Sequence, residues 1–242
     1  MNSKKAFSLI EVAVILIIIG LIVAALAIGE QLIRQAKLKT IVTDLKNFKV
    51  AIDLFDQSYD SLPGDITNAS SFWPVCTNQS SPVVNNCNGN GDLTIQELYE
   101  GMRMWEHISL AKLIDNNYVG KDTIGTGNQF NPDENAPALP MGQGCYGGAS
   151  AVNSAIWYGL SSNIIITLGA TSTNASCQNG AFTPKEAFYL DTKIDDGMAE
   201  TGRILSTEGD AIKTSNPNDC SNGDYNLSIN STSCRTIYDF SL

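Results

Sequence analysis

The chain has 242 residues, is 43% hydrophobic and only 17% charged, and carries a formal net charge of −10. That length leaves room for one membrane helix and one sizeable globular unit, and the acidic balance repels a phosphate backbone, which speaks against direct nucleic-acid binding. With a single histidine and no G-x-S-x-G, H-E-x-x-H, P-loop or G-x-G-x-x-G pattern, the sequence offers no recognisable catalytic set, and an enzyme is not expected.

Lys4 and Lys5 precede Ala6-Phe7-Ser8-Leu9-Ile10-Glu11, and Val12 to Gly29 follow without a charge or a proline. Such a run is long enough to cross a bilayer as a helix. The two lysines predict a cytoplasmic N-terminus, with everything after Gly29 outside. Glu11 is the exception at the entry: a carboxylate in a membrane helix costs on the order of 3 kcal/mol, so it needs a partner and a task. Two simpler readings are a secretory signal peptide cut after Ala25-Leu26-Ala27 and an uncleaved signal anchor. The apolar region is longer than a usual signal core, and Glu11 interrupts its start.

These residues resemble the N-terminus of type IV pilins and of the pseudopilins of type II secretion, whose pattern is a basic leader, a small residue, Phe-[Thr/Ser]-Leu-[Ile/Val]-Glu and an apolar helix. The resemblance implies a leader at residues 1–6, cleavage between Ala6 and Phe7 by a membrane prepilin peptidase, and N-methylation of Phe7. It gives Glu11 the task of neutralising the Phe7 amine of a neighbouring subunit, which sets the axial register of a filament. The chain departs from the family in carrying Ala6 where Gly is strongly preferred. The implied partners are other pilin or pseudopilin subunits, the peptidase, an inner-membrane assembly platform and membrane lipid. The implied location is the bacterial inner membrane, single-pass, with a periplasmic head.

Beyond Gly29 the apolar pattern narrows to a stripe. Leu38, Ile41, Leu45, Phe48, Ile52, Phe55 and Tyr59 recur at spacings of three and four, with Arg34, Lys37, Lys39, Lys46 and Lys49 off the stripe. The first proline, Pro63 in Leu62-Pro63-Gly64-Asp65, ends the helix. One helix of about 50 residues and about 80 Å is predicted, divided into a membrane half at residues 7–29 and an amphipathic half at 30–62. A head follows at 63–242. Gly20 and Gly29 are the weak points of the helix.

All six cysteines lie in the head, separated by 10, 57, 31, 42 and 13 residues. An even number in an exported, loop-rich domain predicts disulfides, and the absence of C-x-x-C argues against zinc. Of the 15 possible pairings, nearest neighbours are favoured: Cys76–Cys87, Cys145–Cys177 and Cys220–Cys234. Between the first and second pairs, Asn86 to Glu97 has the spacing of an EF-hand loop, with Asn86, Asn88 and Asn90 at positions 1, 3 and 5, Gly91 at 6 and Glu97 at 12. With Asp92 these residues offer oxygen ligands to calcium, although the usual aspartates are asparagines. The alternative is a turn leading to a capping box, Thr94 with Glu97, at the start of a helix from Ile95 to about Ile114. No cofactor is otherwise required, and His107 on that helix is expected to be a packing or surface residue.

Residues 116–148 read as a long loop, followed by two strands at Ala155–Leu160 and Asn163–Leu168 paired across Ser161-Ser162. Thr183-Pro184-Lys185-Glu186 starts a short helix that stops at Gly197. The segment Leu190–Gly197, with Thr201–Leu205 after it, also resembles part of pseudopilin-like proteins; its Asp191, Asp195 and Asp196 read as a solvated face or a cation site. Arg203–Leu205 is expected as a strand and Thr236–Phe240 as an edge strand. The whole is an α+β, pilin-like fold: a long N-terminal helix packed on an antiparallel-sheet head with disulfide-stapled loops. Two functions fit it. One is a structural subunit of a type II secretion pseudopilus or type IV pilus, a minor pilin or pseudopilin; the other is a membrane-anchored extracytoplasmic binding module outside any filament.

Overall fold

The computed structural model describes residues 8–76, 87–96, 99–121, 129–142, 144–150, 162–171, 177–209 and 219–240. Its first element, α1 (Leu9–Tyr59), is 51 residues of unbroken helix that pass through Gly20 and Gly29 without a kink in secondary structure. Every large apolar side chain from Leu9 to Ile33 is exposed, and this part is long and apolar enough to cross a membrane. From Leu38 onward the stripe turns inward: Leu38, Ile41, Leu45, Phe48, Ile52 and Phe55 are buried. The helix ends where Asp60 takes a left-handed conformation (φ 53°) and donates its N–H to the Asp56 carbonyl, three residues ahead of Pro63.

A four-stranded antiparallel sheet forms the centre of the head, with strands β1 (Cys145–Ala149), β2 (Ile165–Gly169), β3 (Ile204–Glu208) and β4 (Cys234–Asp239) in the order β1-β2-β4-β3. Of three further helices, α3 (Glu100–Leu110) and α4 (Pro184–Ile194) pack on the sheet, while α2 (Ala69–Phe72) packs by Ala69 with Phe55, Ile66 and Cys87. The alternation of the strands sends Tyr146, Ile166, Leu168, Tyr238 and Ile204 to the main core with α1, α3 and α4, while Ala149, Ile165, Leu205 and Ile237 form a smaller cluster on the other face. Phe48 of α1 meets Trp105 of α3 and Tyr146 of β1 edge-on, at centroid distances of 4.8 and 5.1 Å. α3 reaches β1 at a point free of side chains, since a Cβ at Gly148 would lie 2.8 Å from the Met104 methyl and 2.9 Å from the Gly101 carbonyl.

Several expected boundaries move. The strand Cys145–Ala149 lies inside what reads as loop, because its Gly147 and Gly148 lack the bulky residues that mark a strand and are selected instead for close approach. α3 begins at Glu100 rather than Ile95; Ile95 lies outside the helix, is buried, and donates its N–H to the Asn163 carbonyl. Thr94 therefore does not cap this helix, and its hydroxyl donates to Asp92 instead. β4 is central, not an edge, because β2 and β3 flank it on both sides. The strand at Ala155–Leu160 falls outside the described residues. α4 starts as read: Thr183 accepts the Glu186 N–H, and Glu186 accepts the Thr183 N–H at 2.9 Å.

The cysteines join neighbours in sequence, Cys76–Cys87, Cys145–Cys177 and Cys220–Cys234, with Cα separations of 5.4, 5.5 and 5.0 Å. The second bond ties β1 to the segment that follows β2, and the third brings the chain before β4 onto its first residue.

Candidate functional site

Ala6 and Phe7 lie outside the described residues. Glu11 stands in the first turn of α1, exposed, with one oxygen accepting the Ser8 N–H at 2.7 Å. That carboxylate caps its own helix, where the N-terminal dipole also favours a negative charge. Around it, the large apolar side chains from Leu9 to Ile33 are all exposed. The site has one anion, one helix end and a long apolar rod; its chemistry is that of packing against lipid or other helices, with Glu11 as the one group able to meet a cation there.

The head begins immediately beyond. Arg34 reaches Glu186 of α4 with two guanidinium nitrogens, Nη2 at 2.8 Å from Oε2 and Nε on the other oxygen. Burial pushes the Glu186 carboxyl up, but Arg34 and the Thr183 donors outweigh it and hold the group below its ordinary value. The bidentate pair joins α1 to α4 just beyond the bare half of the helix.

At the far end, the structure gathers Asp65, Asp92 and Glu100, each offering a carboxylate oxygen within 4.8 Å of the others. Asp92 belongs to the expected calcium loop; Asn86 and Glu97 lie outside the described residues. Asn88 and Asn90 turn their side-chain oxygens to backbone donors, Ser70 N–H and Asp92 N–H, both at 2.8 Å. Asp65 is fully buried and accepts N–H groups from Gly91, Asp92 and Leu93 at 2.6, 3.2 and 2.8 Å. Gly91 and Leu93 take left-handed conformations (φ 76° and 63°) to present those donors. Glu100 accepts from Asn90 and Gln96 at 3.0 and 2.9 Å, and burial raises its carboxyl to about 7. Asp65 and Glu100 thus organise the loop by receiving its backbone N–H groups, and they are the residues through which a cation would have to be held. Sequence spacing did not show them, since Asp65 acts on backbone 26 to 28 residues away.

The second acidic group, Asp191, Asp195 and Asp196, is equally engaged. Asp191 accepts from Gly197 N–H at 2.9 Å and Tyr225 Oη at 2.8 Å, Asp195 from Arg203 N–H, and Asp196 from Met198 N–H and Thr201 Oγ1. These bonds fold the turn between α4 and β3. His107 is fully buried, with its Nδ1 accepting the Gly64 N–H at 2.8 Å and its Nε2 2.9 Å from the Cys87 carbonyl, to which it donates in that tautomer. Burial lowers it to about 4, so it is neutral and ties α3 to the end of α1 and to the first disulfide. It is a structural bridge.

No family model, no curated protein and no solved structure matches this chain.

Proposed function

We propose that this protein is a structural subunit of an envelope filament, a minor pilin or pseudopilin of a type IV pilus or type II secretion pseudopilus. One observation carries the reading: a single 51-residue helix is bare and apolar over its first half, marked by Glu11 at its entry, and built into a disulfide-bonded head over its second half. A tether needs only the apolar run. A rigid continuation into the head is what transmits axial position from helix to head, and a carboxylate at the entry is what selects a register among otherwise featureless apolar rods. In this reading Ala6–Phe7 is cut by a membrane peptidase and Phe7 is methylated. Subunits then leave the inner membrane by exchanging lipid for neighbouring apolar helices, with heads on the outside. No catalytic step is assigned to the chain.

The test is the N-terminal residue of the protein recovered from membranes, by mass spectrometry, together with the behaviour of Glu11→Ala. Methylated Phe7 is expected, and Glu11→Ala is expected to reduce assembled material by roughly tenfold or more while leaving the head folded. An intact Met1, or a start at Ile28, removes the filament reading and leaves a membrane-anchored or exported binding module.

A further inference from the structure

The half of α1 that carries the head keeps one face uncovered. Thr43, Asn47, Val50 and Leu54 recur at spacings of three and four and are all exposed, Val50 at 57% and Leu54 at 43%. Beside this face the head stands off the helix and leaves an open groove of about 510 Å³. Val50, Leu54 and Tyr146 line it, together with Asp44, Asp115 and Asp133. From Asp44 to Leu54 the groove follows α1 for about 15 Å, roughly three helical turns. The Asp44 carboxylate accepts the Tyr146 hydroxyl at 2.9 Å. Lys112 is the one cation on the lining, and among the described residues none of the three carboxylates is in an ion pair.

The charge of the opposite sign is on the same chain. Between Glu30 and Lys49 there are five basic residues against two acidic ones, whereas from Val50 onward there are eight basic against 22 acidic. Of the five, Arg34 and Lys49 are paired internally, to Glu186 and Asp53. Lys37, Lys39 and Lys46 make no ion pair among the described residues, and Lys39 and Lys46 are exposed. One molecule therefore presents an unpaired cationic strip on α1 and an unpaired anionic groove beside it. That is the pattern of a surface that is complementary to a second copy of itself, by a head-to-tail contact that repeats.

We propose that the groove lined by Asp44, Asp115 and Asp133 receives the exposed Lys39–Lys46 strip of α1 from a second copy of this chain. The ammonium groups meet the carboxylates, and the lysine stems lie along Val50 and Leu54. The inference rests on the filament reading and names the surfaces by which one subunit's helix meets the next subunit's head.

Full-length chains labelled with ¹⁴N and ¹⁵N, mixed in one membrane and treated with a carbodiimide that joins amines to carboxylates at zero length, test it. Mixed-isotope peptide pairs linking Lys39 or Lys46 to Asp115 or Asp133 are expected. With an amine-to-amine reagent instead, mixed-isotope links from Lys39 or Lys46 of one copy to Lys112 on the groove of another should fall by roughly tenfold in the doubly substituted Asp115→Asn, Asp133→Asn chain, because a rim of charge sets encounter and register. Both aspartates are exposed, so the unfolding midpoint of the head should not move. Carbodiimide links between the swapped positions should appear when Lys39→Glu, Lys46→Glu chains are mixed with Asp115→Lys, Asp133→Lys chains. Links confined to one isotope, mixed pairs joining other surfaces only, or links from these aspartates to a lysine of another protein each overturn the docking. If Phe7 is methylated and filaments form without these links, the docking alone falls; if Met1 is intact and no mixed pair of any kind appears, the filament reading falls with it.

Discussion

The two halves of α1 are one helix by backbone and two different objects by surface. Val12 to Gly29 carries no charge on any side, and every large apolar side chain in it is exposed. Leu38 to Phe55 carries a stripe of apolar residues, Leu38, Ile41, Leu45, Phe48, Ile52 and Phe55, that is buried against the head, with Val50 and Leu54 left exposed on another face. An all-round apolar helix needs a solvent other than water, whereas a striped helix needs one partner. The difference teaches where each half gets its stability: the second from the head it belongs to, the first from whatever surrounds it.

Breaking that contrast gives the largest expected effect. Phe48→Ala removes a buried ring that contacts both Trp105 and Tyr146 and should destabilise the head by about 3–5 kcal/mol. Ile18→Ala or Ile22→Ala, in the bare half, should leave head unfolding within about 0.5 kcal/mol of wild type. Denaturant titration of the full chain in one detergent, followed by tryptophan fluorescence, reads both. A loss of more than 1 kcal/mol from Ile18→Ala would show that the halves are not energetically separate.

This division was legible in the sequence because it is periodic. A run without charges, then a stripe at spacings of three and four, then Pro63, is enough to place α1 within a few residues, and the capping pattern at Thr183–Glu186 does the same for α4. What escaped is non-local. β1 was hidden because Tyr146-Gly147-Gly148 is shaped by contact with Gly101 and Thr167, residues 20 or more positions distant, and not by strand propensity. The central place of β4 depends on which strands flank it, and no local pattern carries that information. In the acidic loop the asparagines drew attention through their spacing, while Asp65 and Glu100 do the anchoring from outside the motif. Glu11 shows the reverse: its place in a local pattern was plain, and the structure gives it the Ser8 N–H at 2.7 Å.

The buried loop anchors sharpen the comparison by giving the head a pH dependence that the bare half of α1 has no means to share. Burial raises Glu100 to about 7, so the folded head holds a proton there that the unfolded chain releases near 4.5. That contribution is fully present below the unfolded value and is lost as pH rises through 7, at a slope of at most about 1.4 kcal/mol per pH unit for one proton. His107, lowered to about 4, has the opposite sign: its contribution is present above 6.5 and is lost as pH falls towards 4. Above pH 6.5 the histidine is silent in both states and Glu100 dominates the pair. Stability should therefore decline between pH 6.5 and 8, and Glu100→Gln, while costing about 1 kcal/mol for the N–H acceptor it weakens, should flatten that decline. Chemical denaturation at three pH values checks it; an undiminished slope in the variant would place the titration elsewhere.

The smallest effect is expected at the junction of the two halves. Arg34 is about half exposed at its side chain, and Glu186 keeps its bonds from Thr183 when the guanidinium is removed. Arg34→Gln should therefore cost only about 0.5–1 kcal/mol, and a double-mutant cycle with Glu186→Gln should return a coupling of the same size. Screening should shrink the coupling towards zero at about 1 M salt, where the Debye length is near 3 Å. Glu186→Ala alone should cost more than Arg34→Gln, because it also removes the acceptor of the Thr183 N–H at the start of α4. A coupling of several kcal/mol that persists in high salt would mean the ion pair clamps the head to α1 at this end. The two halves would then meet at a rigid joint held by charge, and not simply by the Leu38–Phe55 stripe.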